Sequence, residues 1–501
     1  MHFFEVTLVL TYFCVLSTLC LFGLHRAWLF YLCLRHRKVV ESARIAEKRF
    51  RDAELPSVTI QLPLYNEAAV AARLIDAVGA IDYPRDRLEI QVLDDSSDET
   101  QAIARRRVDV LREHGIRAEY VRRPSRHGYK AGALDYGLSR AKGDLVAIFD
   151  ADFIPRTGFL REIVHHFADS EVCMVQTRWA HLNRDSNLMT ELQALMLDGH
   201  HLVENRARFG AGCYFNFAGT GGMWRKEAIA AAGGWQHDTL TEDLDLSYRA
   251  QMVGQKFVYR PDVTTPSELP DNMTALLAQQ YRWAKGTVQT ARKLLPRLMR
   301  HPSTFHQKVE GIFHMIPHFA YPFMLAMTVL MLPALVLLPP SDLRTLLLVD
   351  LPISFVATGS LAFFYGLAEL MQDRSVWNVA KRLPMLMGLG AGLSPHLTRA
   401  VWSGLRSMNG EFVRTPKKGE GLTRYKAGSG WPLIEMTLCL LCIASAVVAL
   451  RMGHYFASPF ALLFAWGYGY VATQVMRDRY PAAASEELVD EQASEPLAKA
   501  A

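Results

Sequence analysis

Residues 145–152 read LVAIFDAD, an apolar run followed by two acids one residue apart. The run from Leu145 to Phe149 is the short, continuously apolar segment typical of a parallel strand that is buried on both faces. Asp150 and Asp152 follow where such a strand reaches solvent. Two carboxylates one residue apart can hold Mg²⁺ or Mn²⁺, ions that complete their shell with phosphate oxygens. The simpler explanation is that the two acids are solvated at a strand end and bind no metal. The surrounding sequence is therefore needed to distinguish a metal site from a solvated pair.

Two further short runs of the strand type, Ser57 to Leu62 and Leu88 to Leu93, alternate with helical patterns in the βαβ manner. Each run ends in polar residues, Tyr65-Asn66-Glu67 after the first and Asp94-Asp95 after the second. In an open α/β sheet the ligand lies beyond the carboxyl ends of the strands. We therefore predict a soluble α/β domain over residues 50–300, with all these polar groups in one crevice.

Apolar runs flank this domain on both sides. Residues 6–24 are nearly all apolar, and a basic stretch at 26–38 follows them. About 20 apolar residues cross a bilayer as a helix, and basic residues favour the cytoplasmic side. A cleaved signal peptide is the alternative, but no basic start or small-residue cleavage site is visible. Residues 1–35 are therefore predicted to be a membrane anchor, which places the soluble domain in the cytosol.

Five apolar runs follow, within residues 301–480: Ile312–Leu338, Leu346–Met371, Leu383–Leu405, Pro432–Leu450 and Phe456–Met476. Basic residues bracket the third run on both sides, so we interpret residues 383–405 as interfacial and the other four as transmembrane helices. The tail at 481–501, rich in Ala and Glu, is predicted to be disordered. The chain is thus expected to be a multi-pass integral membrane protein in contact with lipid.

Composition agrees with a mixed protein. The 501 residues are 50% hydrophobic, with 55 Lys and Arg against 50 Asp and Glu, a net charge of +5. A mean hydropathy just above zero is too high for an ordinary soluble protein and too low for one wholly in the membrane. This weak charge gives no reason to expect a nucleic-acid partner. The seven cysteines form no metal-ligand set and are expected to stay reduced.

Seven motifs occur in a fixed order over about residues 55–300: LPLYNE, VLDDSSDET, GYKAGALDYGL, FDADFIP, GTGGMWRKEAI, TEDLDLSYRA and QQYRW. Together they resemble the inverting glycosyltransferases of family 2, most of all the cellulose-synthase-like glucomannan (β-1,4-mannan) synthases and their bacterial relatives. The later FVRTPKKG resembles the gating loop of processive synthases and places such a loop at residues 410–425. The resemblance implies an α/β nucleotide-sugar transferase domain of the GT-A type, with a mostly parallel sheet, inserted between transmembrane helices.

The resemblance also assigns the donor site. The residues that would bind the nucleotide sugar are Pro63, Tyr65, Glu67, Leu93, Asp95, Lys130 and Ala151, with Asp150 and Asp152 on Mg²⁺ or Mn²⁺. A carboxylate at Asp95 accepts hydrogen bonds from either uracil or guanine, so it does not choose the donor. Lys130 would neutralise the diphosphate as a point charge, although a solvated loop lysine is the alternative. Asp94 is expected to hold a turn, and Lys417 in the gating-like loop would add positive charge.

Two motifs carry the chemistry. Thr241 is of the type found at a helix N-cap, and Glu242 and Asp243 fall in the first turn, where acids also favour the helix dipole. The resemblance makes Asp243, with Glu242 beside it, the catalytic group that takes the proton of the acceptor hydroxyl. In QQYRW, Gln279, Arg282 and Trp283 share one helical face. The indole suits a pyranose ring and the guanidinium a diphosphate, whereas simple packing would explain a lone Trp.

These assignments predict a metal-dependent hexosyltransferase that polymerises a sugar from GDP-mannose or UDP-glucose into a β-linked, 1,4-type polysaccharide and extrudes it. The first alternative is transfer of one sugar to a membrane lipid, and the second is a non-catalytic nucleotide sensor. Donor, linkage, accessory subunits and oligomeric state stay open. A bacterial inner membrane is favoured over an endomembrane.

Overall fold

A seven-stranded sheet forms the centre of the soluble domain. The computed structural model describes residues 2–338, 344, 355–408, 410 and 431–479. The strands are β1 (Val58–Leu64), β2 (Leu88–Asp94), β3 (Arg117–Val121), β4 (Leu145–Ile148), β5 (Val172–His181), β6 (Gly222–Arg225) and β7 (Lys256–Ser267). Their order across the sheet is β3-β2-β1-β4-β6-β5-β7. The three strands predicted from apolar runs are confirmed as β1, β2 and β4.

The sheet is mostly parallel, as expected. Strands β3, β2, β1 and β4 run parallel to one another, β5 and β7 are parallel, and β6 runs against both its neighbours. The chain moves outward from β1 to β3 and then returns to β4 on the other side of β1. A crevice opens where the strand order reverses in this way. Asp94 ends β2 opposite Leu64, so the polar segments after β1, β2 and β4 meet at this crevice.

Helices cover both faces of the sheet and continue beyond it. They are α1 (His2–Arg35), α2 (Arg37–Ser42), α3 (Ala68–Gly79), α4 (Thr100–Glu113), α5 (Tyr129–Arg140), α6 (Phe159–Ile163), α7 (Leu188–Asp198), α8 (Asn205–Gly210), α9 (Lys226–Ala231), α10 (Glu242–Met252), α11 (Met273–Arg300), α12 (Phe305–Met315), α13 (Ala320–Leu337), α14 (Ser360–Leu370), α15 (Val376–Arg406), α16 (Leu433–Arg451) and α17 (Ala457–Arg479). One buried cluster joins α3, α4 and α6 to the sheet, and a second joins α5, α9 and α10 to its other face. Both faces are covered, so every residue of β1, β2 and β4 except Pro63 is buried, and the polar side chains among them are paired, as Gln61 is with Gln91 at 3.1 Å.

Three helices in the described part of the chain are long and apolar enough to cross a membrane: Phe3–Arg35, Pro317–Leu337 and Leu433–Arg451. The predicted interfacial run lies within α15, which is not one of the three. The last predicted crossing forms α17 but falls outside this set as well, and residues 346–354 of the second run are not described. The gating-like loop, with Lys417, and the tail at 481–501 also lie outside the described residues, apart from Gly410.

Candidate active site

One cavity occupies the crevice at the carboxyl ends of the strands. Thirteen of the predicted site residues line it: Pro63, Tyr65, Glu67, Asp95, Lys130, Asp150, Ala151, Asp152, Glu242, Asp243, Gln279, Arg282 and Trp283. Leu93 does not line it, because its side chain points into the core between the sheet and α5, where it is 2% exposed. With Gly219, which also lines the cavity, the fold brings together residues from all seven ordered motifs between about residues 55 and 300.

Lys130 lies at the charged centre of the cavity. Its Nζ is 2.6 Å from Asp150 Oδ1 and 3.8 Å from Glu242 Oε1, and it donates a hydrogen bond of 2.9 Å to the carbonyl oxygen of Gly219. Burial lowers the pKa of Lys130, but the carboxylates of Asp150 and Glu242 outweigh burial and raise the pKa above its ordinary value. The ammonium thus stays charged where a diphosphate would bind, and the solvated-loop alternative for this lysine does not hold.

Asp243, the predicted base, lies in the first turn of α10 and lines the cavity. Its Oδ1 accepts a hydrogen bond of 2.7 Å from the backbone N–H of Leu244. Burial raises its pKa to about 7, and the neighbouring charge of Glu242 adds to the rise, while Lys130 opposes it. Burial also raises the pKa of Glu242. Asp243 is therefore a carboxylate whose pKa is matched to proton transfer near neutral pH.

A glycine makes room for this carboxylate. Gly219 has a φ of +80°, and a Cβ added to it would lie 2.9 Å from Asp243 Oδ2. Both the backbone conformation and the close approach require glycine at this position. The next residue, Thr220, accepts a hydrogen bond of 2.9 Å from the backbone N–H of Asp150 through its hydroxyl. The GTGG segment thus joins the predicted metal site to the predicted base.

Thr241 occupies the N-cap position of α10, as its residue type indicates. Its hydroxyl makes no capping hydrogen bond and lies 3.0 Å from the hydroxyl of Thr290 on α11. The tertiary partner therefore competes successfully with the local cap.

A pair of arginines shapes the opposite end of the cavity. Arg123 holds Asp95 through two hydrogen bonds, Nε to Oδ1 at 2.8 Å and Nη2 to Oδ2 at 2.5 Å. Arg126 lies over the ring of Tyr65, 3.3 Å from its centroid, and 4.9 Å from the centroid of Tyr129. Asp95 is thus oriented by an ion pair before any ligand binds. Its contact with a base or ribose stays a prediction.

The expected turn-holding role of Asp94 is confirmed. Its Oδ1 accepts a hydrogen bond of 2.9 Å from the backbone N–H of Ser96, and its Oδ2 accepts one of 2.7 Å from the Tyr120 hydroxyl. The side chain is 1% exposed and does not line the cavity.

Aromatic and aliphatic side chains form another wall. Trp283 lies beside Trp179, their ring centroids 6.4 Å apart. Phe153, Leu197 and Leu269 line the same part of the cavity. An indole in such a wall offers an apolar surface to the carbon face of a sugar ring.

The comparisons with known proteins agree with this geometry. Residues 56–286 match the family described as glycosyltransferase like family 2. Glucomannan 4-beta-mannosyltransferase 1 of Cyamopsis tetragonoloba is 31% identical over 468 residues, which cover 86% of this chain and 84% of the relative. The chain belongs to glycosyltransferase family 2.

Other family 2 proteins match over a shorter stretch. Glucomannan 4-beta-mannosyltransferase 1 of Oryza sativa subsp. japonica is 40% identical over 265 residues, 52% of this chain and 51% of the relative. A solved mannosyltransferase from Pyrobaculum calidifontis, in complex with GDP-Man and Mn²⁺, is 23% identical and covers 77% of this chain and 99% of its own, with a TM-score of 0.48. The chain spans about half the length of the first curated relatives it matches. The family match and the mostly parallel sheet make the transferase domain one of the GT-A type, as expected.

The predicted metal site of this family 2 chain offers two carboxylates. Asp150 and Asp152 both line the cavity, and the described residues contain no group of three or more His, Cys, Asp or Glu that could hold a metal. A hard divalent cation suits two carboxylates when phosphate oxygens and water complete its shell. The donor set therefore fits Mg²⁺ or Mn²⁺ bound together with a diphosphate.

Several cavity residues of this family 2 domain were missed by sequence reasoning. Arg126 and Tyr129 lie next to Lys130 in the sequence RHGYK, so their proximity to a named motif was an available signal. Trp179 lies in TRWAH, outside all the motifs named above. It reaches the cavity because it lies near the end of β5.

Proposed function

We propose that this chain transfers hexose, with inversion at the anomeric carbon, from a nucleoside diphosphate sugar to the end of a growing β-linked polysaccharide. The observation that carries the proposal is the position of Asp243. Its carboxylate has a pKa of about 7 and lies in one cavity with the cation Lys130 and the indole of Trp283. This arrangement supports proton removal from an acceptor sugar beside a leaving diphosphate.

The transfer balances with these groups. Asp243 takes the proton of an acceptor hydroxyl as its oxygen bonds to the anomeric carbon from the face opposite the nucleotide. The bond between that carbon and the diphosphate breaks, and the nucleoside diphosphate leaves with the electron pair. Lys130 and Arg282 stabilise the charge that develops on the diphosphate. Asp150 and Asp152 would hold Mg²⁺ or Mn²⁺, which supplies further positive charge to the leaving group.

The finer features of the proposal rest on resemblance and on the apolar helices. The names of the relatives favour mannose, and therefore GDP-mannose, over UDP-glucose as donor. The three long apolar helices support a multi-pass protein with the transferase domain in the cytosol, and the other two predicted crossings would complete the pore for the polymer. Processive synthesis, extrusion and a closing loop at 410–425 belong to the same proposal, as does a bacterial inner membrane.

The test uses the full chain, purified and reconstituted in lipid vesicles with Mg²⁺ or Mn²⁺. Radiolabelled GDP-mannose and UDP-glucose are offered in separate reactions, and the products are sized and digested with a β-mannanase or a β-glucanase. A digestible polymer is the expected result. A single labelled glycolipid would contradict polymer synthesis and favour transfer of one sugar to a membrane lipid. No transfer from either donor would contradict the proposal for these two sugars.

The assignment of the base has its own test. Asp243→Asn should lower the rate of sugar transfer at least about a hundredfold, because a positioned base contributes about 10² to 10⁴ in rate. It should leave binding of the nucleoside diphosphate, measured by calorimetry, nearly unchanged. Asp86→Asn, on an exposed carboxylate outside the cavity, is the control and should retain full activity. Transfer retained by Asp243→Asn would show that another group is the base.

A further inference from the structure

A second indole, Trp179, stands beside the one that the family motif supplies. It lies near the end of β5 and lines the cavity. Its ring contacts Phe153 edge-on at 5.2 Å between centroids and His201 at 5.1 Å. Neighbours on two sides therefore hold the ring, so a ligand that stacks on it would find it already ordered.

The chemistry of the exposed part of this ring is that of a hydrocarbon. The Nε1 atom of Trp179 is buried and has no hydrogen-bond partner in the part of the chain that the structure describes. What the ring presents to the cavity is therefore carbon. It continues the apolar wall of Leu197 and Leu269 toward Trp283. Such a surface suits the C–H face of a pyranose and has nothing to offer a phosphate.

The spacing of the two indoles indicates a ligand with more than one ring. The centroids of Trp179 and Trp283 are 6.4 Å apart and their planes are inclined by 51°. A single flat ring cannot stack on both planes at once. Two linked rings, each turned relative to the other, can do so.

We propose that Trp179 is a second stacking position for the acceptor, which binds the sugar unit next to the one on Trp283. This inference rests on the proposed function and deepens it, because it makes the acceptor a carbohydrate chain of at least two units. Trp179 is thus a specificity-determining residue that favours chain extension over transfer to a single sugar.

The experiment compares acceptors of increasing length in the reconstituted full chain. The probes are the methyl glycoside of mannose and β-1,4-linked manno-oligosaccharides of two to five units, with the donor that the wild type uses. In the wild type, KM for the acceptor should fall from one unit to two. Trp179→Leu should remove this fall and raise KM for the oligosaccharides about tenfold. KM for the donor and KM for the methyl glycoside should change far less.

Trp179→Phe is the matched control. It keeps an aromatic ring and loses no hydrogen bond, since Nε1 has no partner among the described residues, so its KM values should stay within about threefold of the wild type. Leu and Phe fill similar space, and the difference between them isolates stacking from packing. Equal KM values for the Leu and Phe variants, or a donor KM that rises as much as the acceptor KM, would overturn the inference.

Failure of the two proposals can be told apart. A wild type that elongates no carbohydrate contradicts the proposed function itself. A wild type that elongates oligosaccharides, with Trp179→Leu matching it at every length, contradicts only the role of Trp179.

Discussion

At the scale of single residues, the site depends on a balance of buried charges. Glu242 and Asp243 bring two carboxylates into a buried space, and Lys130 supplies a cation 3.8 Å from Glu242. Burial and the like charge of Glu242 both disfavour ionisation of Asp243, which is why its pKa rises to about 7. An adjacent pair of acids in the sequence indicates such a coupling, but its strength depends on the burial that the fold imposes.

This balance predicts the pH dependence of transfer. A general base works only when deprotonated, so kcat/KM should rise with pH through the pKa of Asp243 in the free protein, at about 7. Glu242→Gln removes the neighbouring negative charge and should therefore lower that pKa, moving the acidic limb of the profile to lower pH. The measurement is kcat/KM against pH from 5 to 9. A profile whose acidic limb stays in place, or moves to higher pH, would contradict the coupling.

At the scale of elements, one helix does two tasks. The first half of α11 gives Gln279, Arg282 and Trp283 to the cavity. Further along α11, one face contacts the start of α10 and the segment before it. This face consists of Gly286, Gln289, Thr290 and Lys293, which follow helical spacing. Gln289 accepts a hydrogen bond of 3.0 Å from the backbone N–H of Leu240, and Lys293 lies 2.9 Å from Asp245. The helix that lines the cavity with these three residues thus also positions α10, which carries Asp243.

Gly286 permits this contact and supplies a prediction. A Cβ at this position would lie 2.7 Å from the side chain of Thr241 and 2.9 Å from its backbone nitrogen. Gly286→Ala should therefore push the start of α10 aside and lower kcat, by up to about a hundredfold if Asp243 moves by about 1 Å. Donor binding should persist. Initial rates and nucleoside diphosphate binding measure the two effects.

Gly390→Ala is the control for this prediction. Gly390 also lies inside a helix, α15, but a Cβ there would meet only one atom, at 4.0 Å. This variant should keep wild-type activity, because alanine is a better helix former than glycine and nothing obstructs it. Equal rates for the two variants would contradict the positioning role of the contact between α10 and α11.

At the scale of the whole molecule, a buried polar network joins the first long apolar helix to the transferase domain. Glu310 on α12 lies 3.2 Å from His25 of α1 and 3.8 Å from Arg208 of α8. The Glu310 side chain is fully buried, and that of Arg208 is 2% exposed. On the same α12, His314 lies 2.9 Å from the hydroxyl of Tyr248 in α10. Charged groups thus link elements far apart in the chain.

Removing one member of this network should destabilise the protein. Glu310→Ala leaves Arg208 buried with less compensation, and breaking a buried pair costs about 3–5 kcal/mol. The expected result is a lower unfolding temperature in detergent, measured by tryptophan fluorescence. Glu171→Ala, on a carboxylate that is 78% exposed, should leave the unfolding temperature unchanged. An unchanged value for Glu310→Ala would show that the network adds nothing to stability.

The fold class and the main residues of the site could be predicted from local sequence. Strand-like runs followed by polar residues predicted β1, β2 and β4, because strand burial and run length are local properties. The ordered motifs placed Lys130, Asp150, Asp152, Asp243 and Trp283, and all of these line one cavity. Each carries its chemistry in its residue type and its position in a motif, so no tertiary information was needed to name it.

The contacts that hold these groups, and the side chains next to them, could not be predicted from local sequence. The ion pair of Arg123 with Asp95, the turn of the Thr241 hydroxyl toward Thr290, and the place of Trp179 beside Trp283 all depend on segments that meet through folding. Leu93 shows the converse, because a motif position proved to be core. The spacing of apolar residues along a helix or strand indicates which of its faces is buried. Which residues pack against that face depends on how distant segments come together in the fold.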